Sequence, residues 1–242
     1  MKSIVWVCVA VLSVIVIPQA QAQVLPDSYP ANTEIIGLLE MPGVFSRGEA
    51  GGVHGSDNPM PAVVYSAPLS RSRVLLETIR ATDLEYREYR YESGAAAVYE
   101  RLDGWFRVKL ADGGPYGWVA AGGDTMRFHP LSKLLRNRLN YLTAHWDGLL
   151  WESPPGTAAS EGLVRSSIRH GFKQLNEYPA TVIDVKETEK GLWLNVQIPR
   201  VDPCSPDGDD STLGMDNVLE EGWVPAFSSS GKLTAWFYSR GC

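Results

Sequence analysis

The stretch Gly104-Trp-Phe-Arg-Val-Lys-Leu110, followed by Tyr116-Gly-Trp-Val119, returns later in the chain as Leu192-Trp-Leu-Asn-Val-Gln-Ile198 and Glu221-Gly-Trp-Val224. Each first phrase alternates large apolar and polar residues with a period of two, which is typical of a strand with one buried face. The glycine before each Trp-Val permits either a positive φ or the close approach of a neighbouring backbone. The sequence therefore predicts two related β-hairpins.

The similarity between the two parts of the chain extends upstream of these hairpins. Leu149-Leu-Trp-Glu-Ser-Pro154 repeats Val63-Val-Tyr-Ser-Ala-Pro68 almost position for position, and each run precedes its hairpin by nearly the same distance. Two phrases that keep their order and separation indicate an internal repeat. The copies differ in the hairpin loop, because the second copy carries a long insertion at residues 199–219. Residues 46–61 are rich in Gly, Ser, Asn and Pro and predict a second long surface loop.

A stripe of leucines between the two copies predicts a helix. Pro130 suits a first helical turn, and five leucines recur after it at spacings of three and four: Leu131, Leu134, Leu135, Leu139 and Leu142. Such an apolar face needs a surface to cover, so we expect the helix to pack between the two halves. The alternative is that the stripe serves a partner.

The N-terminal segment predicts export from the cytoplasm. Residues 1–22 combine Lys2, an uncharged apolar run and a small-x-small site, which predicts a signal peptide cleaved after Ala22; an uncleaved anchor is the alternative. Residues 23–37 are expected to form an exposed leader. No later stretch is long and apolar enough to span a bilayer, and a net charge of −6 offers no footprint for nucleic acid. A periplasmic or secreted protein is expected.

Removal of the signal would leave two cysteines, Cys204 and Cys242. An even pair in an oxidising compartment favours a disulfide. A thiolate nucleophile or a metal ligand is the alternative, but neither cysteine has a histidine at ligand spacing or a recognisable motif around it.

The two copies resemble bacterial SH3-like domains, on the pattern Gly-Trp-x-x-Val and then Gly-Trp-Val after an apolar strand that ends in proline. The resemblance implies a mainly β protein with two small β-barrels, at residues 38–123 and 146–242, joined by a short α-helical linker at residues 124–145. It also implies binding modules, whose partners would be a cell-wall peptide or an envelope protein.

The resemblance also implies where ligands would bind. Trp105 and Trp193 would line a shallow aromatic groove, with Tyr65 and Trp151 as the opposite walls. Pro225 follows the second phrase as it often does in the family, whereas the first copy has Ala120 there. The alternative for all these aromatic residues is ordinary core packing. Core positions are expected for two further tryptophans, Trp118 and Trp223.

No catalytic or metal-binding pattern is found, and we expect no cofactor. The four histidines (His54, His129, His145 and His170) are dispersed, and Glu220 and Glu221 would point to opposite faces of a strand. The acidic run at residues 207–210 lacks the ligand spacing of a calcium loop. The predicted function is a non-enzymatic envelope module that binds a peptide, peptidoglycan or a partner protein. The alternatives are an accessory or assembly protein of an envelope complex, or a hydrolase with an unrecognised site.

Overall fold

A computed structural model describes residues 34–47, 53–55, 62–90, 93–122, 126–155, 164–167, 178–201, 203 and 217–237. All of them belong to one compact unit, Asn32–Cys242. The signal peptide with its cleavage site after Ala22 lies outside the described residues, as do Cys204 and Cys242. The cleavage and the disulfide therefore stay predictions.

The chain is mainly β, as the alternating phrases predict. The first large sheet contains eight strands: β1 Gly37–Glu40, β4 Val64–Tyr65, β5 Val74–Leu76, β6 Tyr86–Arg90, β7 Ser93–Leu102, β8 Trp105–Lys109, β9 Tyr116–Ala120 and β10 Arg127–Pro130. Its strand order is β10-β1-β7-β8-β9-β4-β5, with β6 paired to β7. A separate two-stranded sheet joins β2 Phe45–Arg47 to β3 Val53–Gly55. The interpretation of residues 46–61 as loop only is thus wrong, because the last two residues of β2 and the whole of β3 lie within this segment.

The second large sheet contains seven strands: β11 Leu139–Leu142, β12 Leu149–Trp151, β13 Val164–Ser167, β14 Tyr178–Thr188, β15 Gly191–Pro199, β16 Val218–Pro225 and β17 Ala235–Trp236. Its order is β17-β11-β14-β15-β16-β12-β13. When β2, β3 and β6 are left out, the remaining strands of the first sheet correspond one to one, in chain order, to the strands of the second sheet. Corresponding strands occupy the same position in the two strand orders. Both sheets are open in the described part of the chain, so the two-barrel arrangement stays a prediction.

The pairing registers of the two sheets also correspond. Trp118 on β9 lies opposite Tyr65 and Arg107, and Trp223 on β16 lies opposite Trp151 and Asn195. The ladder between β7 and β8 shifts after Val98, and the ladder between β14 and β15 shifts after Val182. Because a bulge bends and twists its strand, bulges at matching places give the two sheets the same local curvature.

The glycine of each Gly-Trp-Val phrase sits where a neighbouring strand comes close. A Cβ on Gly117 would collide with the Val64 side chain, and one on Gly222 would lie 2.9 Å from the Leu150 Cβ and 3.2 Å from the Trp151 carbonyl oxygen. Neither glycine has a positive φ. The sequence allowed either a positive φ or a close approach of the neighbouring backbone at these glycines. The structure shows the close approach of a neighbouring strand.

A helix forms where the leucine stripe begins, but it is much shorter than the stripe. Helix α1 spans Leu131–Leu135; it ends at Arg136, whose backbone is extended with ψ 143°, and Asn137 then adopts a left-handed φ of 57°. Leu139 and Leu142 instead belong to β11, which pairs with β14 and β17. The prediction of a helix across these last two leucines is wrong, since pairing with distant strands overrides the local spacing.

The segment between the two sheets is accordingly shorter than the predicted linker. Strand β10 extends the first sheet to Pro130, and β11 opens the second sheet at Leu139. Just before β1, Ile35 is buried and the Ile36 N–H donates to the Val98 carbonyl at 2.8 Å. The last residues of the expected exposed leader are thus part of the fold.

One hydrophobic cluster draws on both halves of the chain. From the first half it takes Ile35, Leu38, Ala95, Ala97, Tyr89 and Tyr99; from the second it takes the inner face of the second sheet, including Leu142, Leu150, Leu194, Val196 and Phe237. The three leucines of α1 belong to it, in agreement with the expectation that the helix packs between the halves. A second cluster covers the other face of the first sheet, around Leu39, Val64, Val98, Phe106 and Val119.

Candidate functional site

The aromatic residues predicted to line the first groove are brought together. Tyr65 and Trp105 lie on β4 and β8, separated by β9, and their rings meet edge to face with centroids 5.6 Å apart. Paired residues and residues two apart share a face of a sheet, so Trp118 lies on the same face as both. That face is opposite the second hydrophobic cluster. Tyr65 and Trp105 are half-buried, whereas Trp118 is only 3% exposed.

The second pair repeats this geometry with less exposure. Trp151 and Trp193 also meet edge to face, with centroids 6.0 Å apart, and Pro225 lies opposite Trp193 in the ladder. Trp193 is 5% exposed. Both indole N–H groups are buried and find no acceptor within the described residues. Trp151 is half-buried, as Tyr65 and Trp105 are, so the second pair differs from the first in the burial of Trp193.

The expectation of a core position is confirmed for Trp118, which is one of the buried hydrophobic residues, but not for Trp223. The registers place both tryptophans on the faces that carry the aromatic pairs. Trp223 is only half-buried. Sequence alone could not assign the face, because the Gly-Trp-Val phrase places its two large residues on opposite faces.

A polar crevice of about 280 Å³ lies between the first sheet and the chain that leads to β17. Glu85 is at its centre: the Tyr99 hydroxyl donates to one carboxylate oxygen at 2.8 Å, and Lys109 Nζ lies 3.0 Å from the other. Burial acts to raise the pKa of Glu85, but these two hydrogen bonds outweigh it and the pKa is lowered. Burial and the bond to Glu85 raise the pKa of Tyr99.

Arg87 lines the same crevice and reaches across to the second sheet. Its guanidinium carbon lies 4.9 Å from the centre of the Trp236 ring, within the range of a cation–π contact. Burial lowers the pKa of Arg87, while the charge of Glu85 acts in the opposite direction. No local sequence pattern predicts this cluster. Its polar residues come from β6 and the residue before it, from β7 and β8, and from the distant loop that contains Ser230 and Lys232.

His129 and His145 occupy different surroundings. The His129 ring lies tilted against the Tyr89 ring, with centroids 4.9 Å apart, and His129 Nε2 is hydrogen-bonded to Glu40 at 3.0 Å. His145 is exposed. The side chains of His54 and His170 lie outside the described residues. Within the described part of the chain, no three His, Cys, Asp or Glu side chains are grouped closely enough to hold a metal ion.

No family model matches this chain, and no curated protein or solved structure is significantly similar to it. Among the described residues, no helix has the length and apolar character needed to cross a membrane.

Proposed function

We propose that this protein is a non-enzymatic binding protein of the cell envelope, built from two SH3-like units joined by the segment around α1. It would act in the periplasm or after secretion. Its ligand would be an extended peptide of the cell wall, held against the Tyr65–Trp105 pair. The common strand order of the two sheets and the matching registers support the two-unit part of the proposal.

The observation that carries the binding part is the half-buried Tyr65–Trp105 pair on the sheet face away from the second hydrophobic cluster. Aromatic rings placed there offer an apolar, rigid surface to a peptide, and extended or polyproline segments bind such surfaces in SH3-like domains. The Trp151–Trp193 pair has the same edge-to-face arrangement, but Trp193 is buried. The first unit would therefore be the binding one.

Cosedimentation of the mature protein with purified peptidoglycan sacculi tests this proposal. Trp105→Ala and Tyr65→Ala should each weaken retention, and for Trp105 the loss should approach 30-fold, equivalent to about 2 kcal/mol for an aromatic anchor. Leu219→Ala is the matched control, because Leu219 is 37% exposed on β16, away from the pair. Thermal melting of each variant checks that it remains folded.

Two results would overturn the proposal: no retention of the unsubstituted protein, or equal retention of both variants and the control. Trp193→Ala serves a different purpose. Since Trp193 is almost fully buried, its loss should lower stability by about 3 kcal/mol and affect retention only through unfolding.

A further inference from the structure

A second crevice, of about 260 Å³, lies where the end of β6, strand β10 and helix α1 converge. Three cationic side chains line it: Arg90 from β6, Lys133 from α1 and Arg138 from the turn before β11. Tyr89, Phe128 and His129 contribute the aromatic part of its wall. No carboxylate lines it among the described residues, although the chain as a whole carries a net charge of −6.

The positive charges of this crevice face one another. None of the ion pairs found within the described residues uses Arg90, Lys133 or Arg138. Burial lowers the pKa of Arg138, and the charge of Arg90 lowers it further, so the two guanidinium groups interact unfavourably. All three residues are exposed, so solvent screens this repulsion, and the charge of Glu40 partly compensates that of Arg90. An anion bound between the three cationic side chains would be attracted by each of them.

The two arginines are held in place by aromatic rings and backbone bonds. The Arg138 guanidinium carbon lies 4.2 Å from the centre of the Phe237 ring, and that of Arg90 lies 5.2 Å from the centre of the Tyr89 ring. The Asn140 side-chain amide donates to the Arg138 carbonyl at 2.8 Å. A stacked guanidinium keeps its N–H groups available in the plane, where they match the two oxygens of a carboxylate or phosphate.

Glu40, which is hydrogen-bonded to His129 of the crevice wall, already has partners. It accepts from His129 at 3.0 Å and is hydrogen-bonded by Tyr89. Burial acts to raise the pKa of Glu40, but these bonds and the charges of His129 and Arg90 outweigh it. Glu40 thus stays ionised within its own network and leaves Lys133 and Arg138 without a neutralising group in the crevice wall.

We infer that this crevice is a binding site for a small anion that carries a phosphate or carboxylate group, held by Arg90, Lys133 and Arg138. The volume suits one such group with a short organic body. The site uses none of the residues of the Tyr65–Trp105 pair, so it is independent of the function proposed above.

Isothermal titration of the mature protein at low ionic strength, with inorganic phosphate in one arm and succinate in the other, tests the inference. At least one of the two should bind saturably at one site, and added sodium chloride should weaken the binding. Saturation by phosphate alone would assign a phosphate ligand; saturation by succinate alone would assign a carboxylate ligand.

Variants then locate the site. Binding should weaken about tenfold or more in each of three variants: Lys133→Gln, Arg90→Gln and Arg138→Lys. Arg138→Lys keeps the positive charge but loses the planar guanidinium that binds two oxygens at once. Arg71→Gln, in an exposed turn, removes the same charge elsewhere and should change affinity less than twofold. Phosphate or succinate should also raise the melting temperature of the unsubstituted protein more than that of Lys133→Gln, whose side chain is exposed. Absence of saturable binding in both arms, or equal affinities in all variants, would overturn the inference.

Discussion

Both carboxylate oxygens of Glu85 are occupied, one by Tyr99 and the other by Lys109. Because the pKa of Glu85 is lowered from 4.5 by folding, the stability it contributes is fully present above pH 4.5 and is lost as the pH falls through the lowered value. Glu85→Gln removes the ion pair, so it should lower stability at neutral pH by about 1 kcal/mol, or about 2–4 °C in melting temperature.

The test is a series of melts of both proteins from neutral to acidic pH. The difference between them should begin to shrink as the pH falls below 4.5, where the Glu85 carboxylate of the unfolded chain takes up a proton, and should be gone below the lowered pKa of the native carboxylate. Glu77→Gln is the control, since Glu77 is exposed and its loss should leave the melting temperature almost unchanged. A constant difference across the whole pH range would contradict this account of Glu85.

A second polar side chain supports the backbone where α1 ends. Asn140 is fully buried, and its amide donates to the carbonyls of Leu135 and Arg138, both at 2.8 Å. Asn140→Asp keeps the shape but cannot donate when ionised, so the buried Leu135 bond and the part-buried Arg138 bond are both lost. We expect a loss of about 3 kcal/mol in urea unfolding. A loss below about 0.5 kcal/mol, the range of neutral surface substitutions, would show that the turn holds without these bonds.

The close strand contacts at the glycines of the two Gly-Trp-Val phrases can be tested by substitution. Gly117→Ala places a methyl group against the buried Val64, and Gly222→Ala places one against Leu150 and the Trp151 carbonyl. Each should destabilise the protein by about 1–3 kcal/mol, as overpacking does in tight cores. Gly113→Ala meets nothing within 4 Å and carries only the strain of its positive φ. If all three variants unfold at the same urea concentration, close packing is not what selects glycine in these phrases.

The elements that sequence could predict are those whose pattern is local. The period-two phrases became β8 and β15, and the first leucines after Pro130 became α1. Leu139 and Leu142 are three residues apart, which fits a helix as well as the strand they form. Only pairing with β14 and β17 selects the strand over the helix, and a short stretch of sequence does not show with which distant strands it will pair.

The same limit applies to the sites. The four aromatic residues could be predicted because they recur in a repeat, and the structure brings each pair together. Arg90, Lys133 and Arg138 belong to three separate segments that differ in local pattern. Their convergence depends on how β6 and α1 pack, so charge counting along the chain could not have revealed a shared crevice.

The two large sheets share a hydrophobic cluster, and this sets how the whole molecule should unfold. Leu38, Tyr89 and Tyr99 of the first half pack in the same cluster as the inner face of the second sheet, and Arg87 reaches Trp236 across the boundary. Separation of the halves would expose these side chains to water, at about 25 cal/mol for each Å² of apolar surface. The folded halves should therefore stabilise each other.

Urea unfolding of residues 32–242 should consequently show one transition, with the same midpoint by tryptophan fluorescence and by far-ultraviolet circular dichroism. Residues 32–130, which keep every strand of the first sheet, should unfold at lower urea or aggregate, because their contacts with the second sheet are missing. Trp236→Ala should move both probes together, since a local change in a coupled unit shifts one common equilibrium. Two separate transitions, or a fragment as stable as the whole, would mean that the two halves fold independently and that the shared cluster adds little to stability.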